Sequence, residues 1–95
     1  MNNCPRVVVV TGRHCPACLK QKQHLEKEGI EFEEIESESV YGRIVCSLYK
    51  VMGLPTVMIR KEGGRPDDKM ATSFRAGFVT ADMIRKEINK EDKWK

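Results

Sequence analysis

The chain has 95 residues, with 17 Lys and Arg against 14 Asp and Glu for a formal charge of +3, 40% hydrophobic residues and only 6% aromatic. That length makes one domain over residues 1–95, able to bury roughly 60–70% of its unfolded surface without structural metal or staples. A mixed surface with no run of five like charges argues against nucleic acid as a partner. The apolar run Val7-Val8-Val9-Val10 is far short of the roughly 20 residues a membrane span needs, and Met1–Arg6 does not resemble a signal peptide. The expectation is a soluble monomer of the cytoplasm, whose four cysteines sit in a reducing compartment.

In chain order, Arg6 to Val10 has four consecutive β-branched residues and is bounded by Cys4-Pro5 and Thr11-Gly12, which suits a strand covered on both faces. From Pro16, favoured at a first helical position, good helix formers run to Glu28 and stop at Gly29. The apolar face of this helix is Cys18, Leu19 and Leu25. Ile30 to Glu36 alternates charge with Ile30 and Phe32 and reads as an acidic edge strand. Ser39 caps a second helix from Val40, with Ile44, Val45, Leu48 and Val51-Met52 at helical spacing up to Gly53. Pro55 to Ile59 and Met70 to Ala76 read as strands, joined by the polar turn Arg60–Lys69 into a wide hairpin. Thr80 caps a last helix, Ala81 to Lys90, with Met83, Ile84 and Ile88 on one face, and Lys93-Trp94-Lys95 is left as a tail. The order β-α-β-α-β-β-α is an α/β fold: a parallel pair, then an antiparallel pair, in a four-stranded mixed sheet with helices on both faces.

The chemistry lies in Thr11-Gly12-Arg13-His14-Cys15-Pro16-Ala17-Cys18. Disulfide exchange requires a thiolate that attacks a disulfide sulfur and a second thiol close enough to resolve the mixed disulfide. Cys15 at a helix N-terminus gains from free backbone N–H groups and the macrodipole, so it is the nucleophile with the lowered pKa, and Cys18 faces inward and resolves. Arg13 and His14 stand beside it, His14 reading equally as a modulator of the thiol or as a surface residue. A zinc site would need a second cysteine pair at ligand spacing, and neither His14 nor His24 completes one, so no metal is expected. Cys4 and Cys46 read as inert buried thiols. Further along, Gly53-Leu54-Pro55-Thr56 opens a strand on a proline, which cannot donate to a sheet. A cis Leu54–Pro55 bond would turn Leu54's backbone toward the cysteine loop, there to pair with an extended substrate; a trans edge-strand proline is the alternative.

Taken together these residues resemble the glutaredoxin-like branch of the thioredoxin superfamily, in particular the NrdH-redoxins, which pass electrons to ribonucleotide reductase. Cys15, Cys18, Lys22 and Leu25 fall where that family has its Cys-x-x-Cys, a lysine and a leucine of the first helix. Gly29-Ile30-Glu31-Phe32 is similar to its helix-to-strand turn, Leu54-Pro55-Thr56-Val57 to its cis-proline strand, and Ala76-Gly77-Phe78 to its small-Gly-Phe segment. Arg75 replaces the family's aromatic, and Val79-Thr80-Ala81-Asp82 its Arg-Pro-Asp. The resemblance implies a dithiol electron carrier with a redox-active Cys15–Cys18 disulfide and substrate contacts at Leu54, Pro55, Thr56, Gly77 and Phe78, with Arg13 or Lys22 holding a carboxylate. It implies no bound cofactor: reducing equivalents would come from NADPH through a thioredoxin-reductase-type enzyme, with glutathione as the alternative. The partner would be a disulfide-bearing protein, ribonucleotide reductase being one candidate. A glutathione-using glutaredoxin carries Gly-Gly-x-Asp at the start of its last helix; here Gly63-Gly64 and Asp67-Asp68 come earlier and read as the hairpin tip.

Overall fold

The computed structural model describes residues 6–60, 70–73 and 78–92. Three strands of five residues form the body of the sheet: β1 (Val7–Thr11), β2 (Phe32–Glu36) and β3 (Thr56–Arg60). The short β4 (Met70–Ser73) is appended at one edge, giving the order β2-β1-β3-β4. β1 runs parallel to β2, with Val7 opposite Phe32, and antiparallel to β3, with Val7 opposite Ile59 and Val10 opposite Thr56. β4 is antiparallel to β3 across an irregularity at Ile59/Arg60. Cys4, Gly63, Gly64, Asp67, Asp68, the Phe74–Ala76 end of the expected last strand, Gly77 and the Lys93–Lys95 tail lie outside the described residues.

Helices α1 (Pro16–Lys27), α2 (Val40–Leu48) and α3 (Ala81–Asp92) supply the outer layers. Because side chains alternate along a strand, the consecutive valines of β1 serve two cores. Val7 and Val9 pack with Val57, Ile59, Leu25 of α1 and Val79 and Ile84 near and within α3. Val8 and Val10 pack with Ile35, Met58 and Val45 of α2. So α1 and α3 cover one face and α2 the other. This explains why β1 is buried along its whole length.

Several expectations need correction. α2 ends at Leu48, not near Met52, because Tyr49 is its C-cap and Lys50 takes a left-handed φ of 53° that no helix continues through. Its inward face is Gly42, Val45, Cys46 and Tyr49, so Ile44 (51% exposed), Leu48 (70%) and Met52 (94%) point outward instead of forming the core stripe. Leu19 and Met83 are likewise exposed, whereas Cys18, Leu25 and Ile84 are buried. Cys46 is a half-buried free thiol rather than a fully buried one. Arg60, assigned to the turn, is the last residue of β3 and is buried, with its guanidinium donating to the Glu33 carboxylate and its backbone N–H donating to the Arg6 carbonyl (2.6 Å).

The entry to α2 is compressed. Ser39 donates its hydroxyl to the Glu36 carbonyl (2.7 Å) and accepts the Gly42 N–H (2.9 Å), closing the β2–α2 turn. A Cβ on Gly42 would collide with the Glu36 carbonyl oxygen, so only glycine lets α2 start this close to the end of β2.

Candidate redox site

At the end of β1 the chain enters the cysteine loop. His14, exposed, adopts a left-handed φ of 54°, an uncommon conformation outside glycine that sets the approach to Cys15. Cys15 is the N-cap of α1 with extended backbone (φ −114°, ψ 94°), and Pro16 occupies the first turn, where its missing N–H costs nothing. The Cys18 N–H donates to Cys15 Sγ at 3.1 Å, and the Leu19 N–H donates to the Cys15 carbonyl at 3.2 Å. Cys15 and Cys18 form a disulfide with Cα atoms 5.2 Å apart, one turn of helix being sufficient to bring them together. Cys15 is half-buried and Cys18 is 2% exposed, so the sulfur accessible to a partner is that of Cys15.

The segment before β3 lies at the same end of the sheet. The Leu54–Pro55 peptide bond is cis, and the Thr56 hydroxyl donates to the Gly53 carbonyl (2.6 Å), fixing the turn that leads into it. Leu54 packs on the α2-side core. Its Cδ1 sits 2.6 Å from where a Cβ of Gly12 would be, with Ser37 Oγ 3.7 Å from the same point. A side chain at position 12 would have to displace the end of the Leu54 side chain. That contact joins the proline loop to the cysteine loop.

The cations expected to meet a substrate carboxylate are already engaged. Arg13 Nε is 3.0 Å from Glu36 Oε1 and 3.5 Å from Glu38 Oε2, and Lys22 Nζ is 3.0 Å from Glu34 Oε2. The same Glu34 oxygen accepts the buried Thr11 hydroxyl at 2.7 Å. The Thr11 hydroxyl, with Lys22 adding to it against a desolvation that opposes both, holds the Glu34 carboxyl below the usual carboxylate range. Lys22 thus ties α1 to β2. Phe78 is half exposed and its ring lies 5.0 Å from that of His24.

Two residues of α1 that composition alone did not single out carry its attachment to the last helix. Gln21 is completely buried: its Nε2 donates to the Val79 carbonyl (2.8 Å) and its Oε1 accepts the Val79 N–H (2.7 Å). His24 Nε2 accepts the Ala81 N–H (3.0 Å), satisfying one of the free donors at the start of α3, while the Thr80 hydroxyl accepts the Met83 N–H (3.3 Å). Cys18, Gln21 and Leu25 lie on one face of α1 at helical spacing, so the buried sulfur and this clamp share a side. Among the described residues no group of three or more His, Cys, Asp or Glu is placed to hold a metal ion, and no helix is long and apolar enough to cross a membrane.

A disulfide-forming Cys-x-x-Cys at a helix N-terminus, beside a cis-proline loop on a mixed sheet, defines a thioredoxin-like fold, and the solved structures agree. The thioredoxin of Thermus thermophilus superposes with a TM-score of 0.64 over 88% of this chain and 70% of that one at 17% identity. The thioredoxin of Aeropyrum pernix gives 0.65 over 93% and 75% at 16% identity. The C-terminal domain of Neisseria meningitidis DsbD in its reduced form gives 0.63 over 94% and 82% at 18% identity. No protein-family model and no curated protein matches the chain. What the likeness establishes is the thioredoxin-like fold, into which the Cys15–Cys18 disulfide is built.

Proposed function

We propose that this chain is a dithiol electron carrier that reduces protein disulfides, on the model of the NrdH-type redoxins. The observation that carries the reading is the Cys15–Cys18 pair: the outer sulfur half-buried, the inner one buried, both at the start of α1. In the reduced form the Cys18 N–H that meets Cys15 Sγ and the free N–H groups of the first turn favour a Cys15 thiolate. That thiolate attacks one sulfur of the substrate disulfide; the S–S bond breaks, and the departing sulfur leaves as a thiolate that takes a proton from solvent. Cys18, deprotonated, then attacks the Cys15 sulfur of the mixed disulfide, releasing the second substrate thiol and leaving Cys15–Cys18 oxidised. Two electrons and two protons pass to the substrate. The backbone of Leu54, ahead of cis-Pro55, is the proposed docking edge for the extended substrate, with Thr56 following it in β3 and the exposed Phe78 a further proposed contact.

For the reductant, the ion pairs of Arg13 and Lys22 with Glu34, Glu36 and Glu38 support a thioredoxin-reductase-type enzyme driven by NADPH over glutathione. A glutathione carboxylate would have to displace a carboxylate already paired to each cation. The last helix opens on Thr80-Ala81-Asp82, without a Gly-Gly-Asp cradle. The test is turnover of a protein disulfide with NADPH plus thioredoxin reductase against NADPH plus glutathione and glutathione reductase. Faster turnover in the first system is expected; efficient turnover in the second alone overturns the NrdH-type reading and leaves a glutaredoxin. In either system Cys15→Ser abolishes reduction, and retention of most activity by that variant sinks the mechanism.

A further inference from the structure

Of the large apolar side chains exposed among the described residues, most lie on α2 or in the segment that leaves it, whereas α1 contributes Leu19 and α3 Met83. Val40, Ile44 and Leu48 recur every fourth residue and so form one ridge, with Tyr41 beside it; Val40 is 81% exposed and Tyr41 47%. The sheet is met by the opposite side of α2, through Val45, Cys46 and Tyr49, so the ridge points away from the core. A solvated helix places polar residues there, but beside its apolar groups this face has only Arg43 and Ser47. The exposed surface of Val40, Tyr41, Ile44 and Leu48 comes to roughly 400–500 Å², in the range where a patch on a monomer is often an interaction site.

The charges at the two ends of the ridge say what covers it. At the N-terminal end Glu36 and Glu38 share one cation, Arg13, so one negative charge is left over. At the C-terminal end stands the exposed Lys50. An acidic partner would be repelled at one end and a basic partner at the other. A second copy of this chain, laid antiparallel, is attracted at both. A two-fold axis beside Ile44 sets it against Ile44 of the partner subunit, with Val40 and Tyr41 against Leu48 of the partner subunit and Glu38 against Lys50 of the partner subunit. We propose that the outer face of α2 is the interface of a symmetric antiparallel dimer, joined by the Val40, Ile44 and Leu48 ridge and by a Glu38–Lys50 ion pair at each end. The two ridges bury about 900 Å², and the rim takes the total past the ~1,000 Å² of a specific contact but short of the ~1,600 Å² of a standard one. The dimer is therefore reversible, with a Kd on the order of 10 μM. It uses no disulfide chemistry and stands apart from the reductase reading.

The test is sedimentation equilibrium of the full chain from well below to well above that Kd, with reductant present so that no intermolecular disulfide imitates association. The weight-average mass is expected to rise from that of one chain toward that of two. Ile44→Asp, at an exposed position on the axis, is expected to hold the chain at the mass of one throughout. Leu48→Asp is a second variant with the same expected result, and an unchanged urea midpoint below the Kd shows that each is folded. Glu38→Lys and Lys50→Glu each weaken the dimer roughly tenfold, because symmetry removes two exposed ion pairs at once, and the two together restore it by exchanging the ends of each pair. A native chain that stays at the mass of one overturns the proposal. So does a dimer that both aspartate variants leave intact, which would place the contact on another face. Failure of the double exchange to recover affinity overturns the antiparallel pairing.

Discussion

At the scale of single residues, Glu34 shows how a carboxylate beside α1 is held ionised. Thr11 and Lys22 converge on one of its oxygens. A folded-state pKa below the unfolded value means that the unfolded chain binds the proton more readily. The associated stability is therefore present above the ordinary carboxylate pKa and lost as pH falls through the depressed one. The Glu34 side chain is 43% exposed, so solvent screening limits the effect to less than about 1 kcal/mol. Glu34→Gln is expected to lower the urea midpoint slightly at pH 7, the difference from the native chain shrinking as pH is lowered through and below the ordinary carboxylate range. A difference that grew with acidification would contradict the assignment. The signal for Cys15 and Cys18 was local and thus legible in sequence: a proline and two sulfurs within one helical turn. Arg13 and Lys22 were legible only as cations, because their acidic partners lie on another strand and no spacing along the chain reveals them.

At the scale of elements, α1 and α3 are joined by more than apolar packing. Gln21→Leu removes both hydrogen bonds to Val79 and leaves its buried N–H and carbonyl without their side-chain partner, a cost of about 2–4 kcal/mol. A fall in Tm of roughly 10–30 °C is expected by calorimetry. Gln21 escaped notice in the sequence since a glutamine in a helix is ordinarily a solvated residue, and its partner is a backbone unit 58 positions away. At the start of α2, Gly42→Ala forces a methyl against the Glu36 carbonyl, whose backbone cannot yield as a flexible side chain would. The expected loss is about 1–3 kcal/mol by urea denaturation, and an unchanged midpoint would show that α2 can move away from β2 freely. α2 also shows where periodicity misleads. Its residues are apolar over much of the circumference, and Ile44 and Leu48 offer a stripe as regular as the Gly42, Val45, Cys46 and Tyr49 side that packs inward. Only the space available beside β2 decides between them.

At the scale of the whole molecule, the sheet concentrates burial in its middle. Val8, Val9, Val10, Val57, Met58 and Ile59 are fully buried, whereas β2 is an edge with three of five residues at least partly exposed and charged. Native-state hydrogen exchange is therefore expected to be slowest at the β1 and β3 amides and faster in β2 and at the ends of α3, where opening does not require the central pair to separate. Comparable rates in β2 and β1 would argue against this order of stability. The central position of β1 was legible from four consecutive valines, which suit a strand covered on both faces. The burial of Arg60 was not, because a basic residue before a glycine-rich stretch reads as a turn until Glu33 is brought opposite it.

The order of the strands also bears on synthesis. β1 is made first, yet it lies between β2 and β3, and its antiparallel partner ends only at Arg60. At ribosomal rates of about 5–20 residues per second, the nascent β1 waits roughly 2–10 s before β3 has been added. Throughout that interval Cys15 and Cys18 belong to an unfinished sheet, and Cys46 is added before β3 is complete. A newborn chain in an oxidising medium is thus exposed to mispairing with Cys46 in the period before that thiol is packed against the α2-side core and Cys18 is buried on the inner side of α1, and Cys46→Ala is expected to raise the yield of correctly oxidised protein from cell-free synthesis without added reductant.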